Sequence, residues 1–338
     1  MILWRRIIAI KKGEISLKYR VVLAGKYPQG TFERLKAALN RDSFDFVKVE
    51  NEEEYNSMKD ADILILRVFK APRKIIDNNK NLKIIMRWGA GYDSVDVDYA
   101  SKKGIIVTNT PGANAYSVAE LTIMLMLAVG RKLLSHQECL KNGIWSKNTF
   151  INESYSLNNK TLGIIGAGNI GRRVAKYAQV FGAKTQYYDE YRLSRDQEKI
   201  YNLEFKNFEE IIKTSDIVTL HVPLTKNNFH LIGKDEINIM KKGAILINTS
   251  RGGLIDDMEL LKAVTSGKLL GAGLDVVENE PLDKNDELLK NSNIIVTPHI
   301  GGGTADISDV IIPMISEDII NFIEGVKINH IVNKELFN

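Results

Sequence analysis

The chain has 338 residues, 44% of them hydrophobic and 26% charged, which is enough for two domains with separate cores. Its 46 basic and 42 acidic residues leave a formal charge of +4, so nothing favours nucleic acid or a membrane surface as a partner. Cys139 is the single cysteine, which excludes an intrachain disulfide, and the longest apolar stretch, Leu121 to Val129, is far too short to span a bilayer. A cytoplasmic protein is expected.

The first segment is basic: Arg5, Arg6, Lys11, Lys12, Lys18 and Arg20 face only Glu14. It reads as a solvated tail or an extra first element. Beyond it, short β-branched runs alternate with helical patterns, the signature of an α/β fold with parallel sheets. Strands are predicted at 20–24, 44–49, 62–66, 83–87 and 105–108, with helices at 31–39, 75–79 and 96–103, giving one open five-stranded sheet. An apolar helix over 117–134 would cross to a second domain. Six more strands follow, at 162–165, 184–188, 217–221, 244–248, 271–275 and 293–297, as in a complete doubly wound nucleotide-binding domain. A last helical pattern carries Ile307, Ile311, Ile315, Ile319 and Phe322 on one broad face and needs the first sheet to cover. Pro313 should kink that helix or delay its start. The predicted domains are therefore 1–113 with 303–338, discontinuous, and 114–302, with a cleft between them.

The strand at 162–165 leads into Gly166-Ala167-Gly168-Asn169-Ile170-Gly171 and then an amphipathic helix. A glycine turn in that context is a dinucleotide fingerprint, with the pyrophosphate seated on unpaired N–H groups at the helix start. Gly166 would allow the turn, Gly168 the approach of the phosphates, and Gly171 close packing of helix on strand. Asp189 follows the next strand, where an acid takes the ribose hydroxyls and repels a 2′-phosphate. NAD is therefore expected rather than NADP.

Three later segments each put one potent side chain in a loop after an apolar run: Arg251 in Thr249-Ser250-Arg251-Gly252, Glu280 before Pro281, and His299 in Pro298-His299-Ile300-Gly301-Gly302. A 2-oxo acid presents a carboxylate beside a ketone. Arginine can grip the carboxylate and polarise the ketone. Hydride arrival at C2 leaves an oxyanion that needs a proton, and histidine titrates in the range to give it. A carboxylate beside the imidazole would orient it and raise its pKa. Glu278 is the rival carboxylate to Glu280.

With these motifs, the chain resembles the D-isomer-specific 2-hydroxyacid dehydrogenases from about Tyr19 to about Gly325. The resemblance implies a flavodoxin-like substrate domain and a Rossmann NAD-binding domain, a homodimer built on the latter, and catalytic roles for Arg251, Glu280 and His299. It adds Val222, Pro223, Asn228, Thr249, Ser250 and Asp275 to the cofactor contacts, beside Asn169 and Ile170. Gly89, Ala90 and Gly91 resemble the family's glycine loop, whose N–H groups receive the substrate carboxylate. Arg67, Lys70 and Arg87 could read a substrate phosphate, which would fit D-3-phosphoglycerate dehydrogenase. Hydroxypyruvate or glyoxylate reduction and D-lactate dehydrogenation are alternatives, with a corepressor-like NAD-binding scaffold less favoured. Formate dehydrogenase, which pairs its histidine with Gln, fits worse. Trp88 could narrow the substrate pocket. His136, His230 and His330 receive no role, and no metal-ligand spacing is present.

Overall fold

A computed structural model describes residues 18–337. Arg5, Arg6, Lys11 and Lys12, the core of the basic segment, lie outside the described residues. In chain order the elements begin β1 (Tyr19–Ala24), α1 (Thr31–Ala38), β2 (Phe44–Val49), α2 (Glu52–Ser57), β3 (Ile63–Leu66), α3 (Arg73–Asn78), β4 (Ile84–Arg87), α4 (Val97–Lys102) and β5 (Ile106–Thr108). There follow α5 (Ala115–Gly130), α6 (Leu133–Lys141), β6 (Thr161–Ile165), α7 (Asn169–Val180), β7 (Lys184–Tyr188), α8 (Arg195–Tyr201), β8 (Glu204–Phe205), α9 (Phe208–Thr214) and β9 (Ile217–Leu220). The last are α10 (Lys234–Ile239), β10 (Ala244–Asn248), α11 (Asp257–Thr265), β11 (Leu269–Leu274), α12 (Glu287–Lys290), β12 (Ile294–Val296) and α13 (Ile307–Glu324). Two compact units result, one from the residues up to Asn114 and from Thr304 onward, the other from Ala115–Gly303.

The first unit is a parallel sheet in the order β2-β1-β3-β4-β5, the flavodoxin-like arrangement. Both faces of such a sheet are covered, so its strands need continuous apolar runs, and Ile63-Leu64-Ile65-Leu66 is wholly buried. The helix α13 packs beside α1: Thr31 Oγ1 meets Ser308 Oγ at 2.8 Å in the interior, and Arg34 pairs with Asp309. Pro313 does not delay this helix, which starts at Ile307 and runs through it. The buried face of Ile311, Ile312, Ile315, Ile319 and Phe322 outweighs the one lost backbone bond.

The second unit is a parallel sheet in the order β12-β11-β10-β9-β6-β7-β8. Six strands are expected and seven form. The additional β8 is a two-residue edge strand paired with Gln186 and Tyr187, too short to show a period in sequence. Alternate residues feed opposite cores: Ile164, Ile245 and Ile247 enter one cluster, Ile165 and Leu246 the other. The predicted long helix is two. Lys132 takes a left-handed conformation at φ 53°, which ends α5, and its buried ammonium donates to Leu270 O and Asn293 Oδ1. Among the described residues no helix is long and apolar enough to cross a membrane.

Candidate active site

The glycine turn joins β6 to α7. Gly166 has φ +97°, and a Cβ there would lie 2.5 Å from His221 O; a Cβ on Gly171 would lie 2.0 Å from Gly166 O. Both positions are closed to any larger residue. Gly168 is different: a Cβ there meets nothing within 4 Å. The turn is thus tight where the protein packs and open where a phosphate would approach the first N–H groups of α7. Asp189, just beyond β7, accepts the Ala167 N–H at 2.8 Å through Oδ2 and the Tyr191 N–H at 3.0 Å through Oδ1. The acid is thereby fixed beside the turn, with lone pairs left for hydroxyl donors. These features fit a dinucleotide.

The other expected cofactor contacts are partly occupied by internal work. Asn228 accepts the Thr225 N–H and donates to Pro223 O, building the turn after Val222. Asn169 accepts from Arg172, and Ile170 packs against the core beneath α7. Thr249 Oγ1 is 2.9 Å from Thr122 Oγ1 in the interior, and Ser250 Oγ donates to Asn248 Oδ1. His221 Nε2 is 3.0 Å from Thr219 Oγ1, and burial pushes its imidazole down to about 3, so it stays neutral.

Arg251 follows β10, Glu280 lies beyond β11, and His299 follows β12, neighbouring parallel strands whose carboxyl ends face one way. Asn248, fully buried at the end of β10, donates to Arg251 O and accepts the Ser250 N–H. Arg251 Nη1 donates to Ser250 O at 2.7 Å. His299 Nδ1 lies 2.9 Å from Glu280 Oε2. That hydrogen bond, opposed by burial and aided by the charges of Glu280 and Asp275, raises the imidazole pKa above its ordinary value. Burial alone would raise Glu280; the bond to His299, its charge, a backbone N–H and Arg251 together hold it below the usual carboxylate range. The arrangement favours the protonated form of the His299 imidazole, with the Arg251 charge opposing it.

His299 itself has φ 54°, a left-handed conformation unusual for a non-glycine residue. Asp275 holds it there. This carboxylate, 2% exposed, accepts from Thr297 Oγ1 at 2.6 Å, from the Ile300 N–H at 2.8 Å and from the Gly301 N–H at 2.8 Å. Asp275, expected to contact cofactor, is thus already committed to shaping the histidine loop.

In the first unit, Gly89 N–H donates to Thr110 Oγ1 and Gly89 O accepts the Thr110 N–H. Asn109 Nδ2 donates to Ala90 O at 2.6 Å. Arg87 Nη1 donates to Leu66 O at 2.9 Å and Trp88 O at 3.2 Å, and Arg67 Nη1 donates to Lys26 O. Lys70 is exposed. Trp88 is only 4% exposed and packs edge-on to Tyr27, with ring centroids 5.0 Å apart.

Two of the histidines left without a role have carboxylate partners. His330 Nδ1 lies 2.9 Å from Asp318 Oδ2 in the first unit. His230 Nε2 lies 3.2 Å from Glu278 Oε2, a partner 48 residues away that no local pattern announces.

Residues 123–301, more than half of the chain, match the family model described as D-isomer specific 2-hydroxyacid dehydrogenase, NAD binding domain. A glyoxylate reductase from Thermococcus litoralis is 40% identical over 285 residues, covering 82% of this chain and 86% of that one. A D-3-phosphoglycerate dehydrogenase from Methanocaldococcus jannaschii is 41% identical over 283 residues, covering 83% of this chain and 53% of that one. Among solved structures, a D-lactate dehydrogenase from Aquifex aeolicus, complexed with NAD and lactic acid, superposes with a TM-score of 0.78 at 32% identity, covering 90% of this chain and 96% of that one. A dinucleotide turn, an arginine and an acid–histidine pair on one sheet, in a chain this similar over its length, lead to one assignment: the chain belongs to the D-isomer specific 2-hydroxyacid dehydrogenase family and is an NAD-dependent oxidoreductase.

Proposed function

We propose that this enzyme reduces a small unphosphorylated 2-oxo acid, glyoxylate or hydroxypyruvate, to the 2-hydroxy acid. The observation carrying the substrate class is the engagement of Arg67 and Arg87. An end-on bidentate grip on phosphate uses both terminal guanidinium nitrogens. Here Nη1 of each arginine is committed to main-chain carbonyls of Lys26, Leu66 and Trp88, which makes them straps between loops. The glyoxylate reductase relative agrees. A phosphorylated acid is the second reading, favoured by the phosphoglycerate dehydrogenase relative and by exposed Lys70. Rates with glyoxylate, hydroxypyruvate, pyruvate and 3-phosphohydroxypyruvate decide: the unphosphorylated acids should be turned over best, and preference for 3-phosphohydroxypyruvate would overturn the assignment.

In this reading NADH, when bound, supplies the hydride. Gly166, Gly168 and Gly171 form its pyrophosphate turn and Asp189 takes the ribose hydroxyls. Arg251 holds the substrate carboxylate and polarises the ketone oxygen. His299 gives its proton to that oxygen in reduction and takes it back in oxidation, and Glu280 holds the imidazole in place. In the glycine loop the Gly89 N–H is already used, so Ala90 and Gly91 offer theirs to the substrate carboxylate. The second unit is the cofactor domain and the first the substrate domain. The stretch 124–151 exposes Met124, Leu133, Leu140, Ile144, Trp145 and Ile151, an apolar patch suited to a homodimer. Light scattering showing a species near 38 kDa would refute the dimer.

A further inference from the structure

His230 lies in the connection between β9 and α10, away from the three residues assigned to catalysis, yet it touches the loops that carry two of them. Its backbone N–H donates to Gly253 O at 2.8 Å, two residues beyond Arg251. The same two segments pair again through Ile232 N–H to Leu254 O and Asp256 N–H to Ile232 O. Its ring reaches further. Nε2 is 3.2 Å from Glu278 Oε2, two residues before Glu280, and Nδ1 is 3.6 Å from Asp256 Oδ2, just after the Arg251 loop. Phe229 stacks on the imidazole at 4.0 Å between centroids, which fixes its plane.

The two loops that His230 joins are also in main-chain contact. A Cβ on Gly252 would lie 1.8 Å from Val277 O, so nothing but glycine lets them meet this closely. On the far side of that contact Asp257 Oδ2 accepts the Glu278 N–H at 2.8 Å. Glu278 is therefore anchored twice, by its backbone to Asp257 and by its side chain to His230. The segment running on to Glu280 starts from that anchor.

We infer that His230 is a positioning residue: through Glu278 and Asp256 it ties the Arg251 loop to the Glu280 loop and so sets where the Glu280 carboxylate meets His299. The inference rests on the catalytic reading above. It gives Glu278 a task distinct from that of Glu280. It also explains why an imidazole, with a nitrogen on each side of a flat ring, suits this position: the two carboxylates lie on either side of it.

The test uses the full-length protein carrying 13C-labelled histidine, five residues in all, with His299 assigned from His299→Gln. In His230→Ala and in Glu278→Gln the midpoint of the His299 titration should fall toward the ordinary histidine value, because Glu280 no longer sits squarely on Nδ1. With glyoxylate and NADH, kcat should fall about tenfold or more, with the NADH dissociation constant unchanged. The double variant should be no worse than either single one, and His230→Gln, whose Nε2 can donate toward Glu278, should recover part of the rate. An unchanged titration and kcat in both single variants would overturn the inference, as would additive losses or NADH affinity falling in step with kcat. His299→Gln read in parallel separates the two levels. If it retains activity, the catalytic reading itself fails; if it is inactive while His230→Ala behaves as wild type, only the positioning role fails.

Discussion

The glycine turn allows a substitution that separates cofactor binding from folding. Gly168→Ala places a methyl where the structure has nothing within 4 Å, at φ −73°, which alanine adopts freely. Lost unfolded-state entropy would favour the variant by about 0.4–1 kcal/mol, and alanine's poor capping at the start of α7 opposes that by a similar amount. Without cofactor the melting temperature should therefore move little. The methyl does, however, fill the space a pyrophosphate needs to reach the helix N–H groups. Losing one charge-assisted hydrogen bond there costs about 1.5–3 kcal/mol, or about 10- to 150-fold in NADH affinity. Gly171→Ala is the contrasting control: its Cβ would lie 2.0 Å from Gly166 O and 3.1 Å from Ile164 Cγ2, so the backbone must shift, at about 1–3 kcal/mol or more. Fluorescence titration with NADH and thermal melts of the apo forms read the two effects separately. An unchanged NADH dissociation constant in Gly168→Ala would refute the reasoning, and so would a melting point as low as that of Gly171→Ala.

The remaining predictions concern the acid–histidine pair and its support. His299 has a raised pKa because Glu280 bonds to it, so the protonated form needed for reduction is present below that pKa and lost as pH rises through it. Glu280→Gln should move the basic limb of kcat/KM for reduction to lower pH; a limb that stays in place would show that His299 is not the titrating group. Asp275→Asn turns one acceptor oxygen into a donor facing N–H groups or the Thr297 hydroxyl, leaving a buried polar group unsatisfied at about 1–3 kcal/mol. The apo protein should melt earlier; weaker NADH binding with an unchanged melt would make Asp275 a cofactor ligand instead.

Much of the framework is legible in sequence for a physical reason. A parallel strand buried on both faces is a near-continuous apolar run, as β10 is, while β2, at a sheet edge, and β7 are marked by β-branched and aromatic residues between polar ones; all three have the expected bounds. The misreadings share a cause, which is that the deciding partner is distant. Gly130, the last residue of α5, is a local hint of a break, but the groups that hold the Lys132 ammonium, Leu270 O and Asn293, are distant in sequence. The main-chain carbonyls that Arg67 and Arg87 meet are likewise set by the fold, Lys26 lying 41 residues before Arg67 and Leu66 lying 21 before Arg87. Trp88 adjoins the glycine loop in sequence but turns to Tyr27 in space. Motifs bring Arg251, Glu280 and His299 to notice. What they cannot carry is the left-handed backbone at His299, since that depends on Asp275, 25 residues before Ile300, accepting its N–H.

Asn248 and Asp275 together suggest how this sheet turns strand ends into chemistry. Each is a polar residue, at most 2% exposed, where β10 or β11 meets its loop. Each gathers N–H groups from an active loop: Asn248 that of Ser250, just before Arg251, and Asp275 those of Ile300 and Gly301, just after His299. Neither polar group could be buried without these partners, and neither loop could hold its shape without an acceptor inside the sheet's end. The loops are therefore fixed from beneath, by the strands. Glu280 is held differently, its own carboxylate taking a backbone N–H from Val277. It lies six positions beyond β11, and the segment leading to it is braced at Glu278 by Asp257 and His230. The same brace reaches the Arg251 loop through Gly253 and Asp256, so this loop pair is linked sideways where strand-end groups hold the Ser250 and His299 turns from beneath.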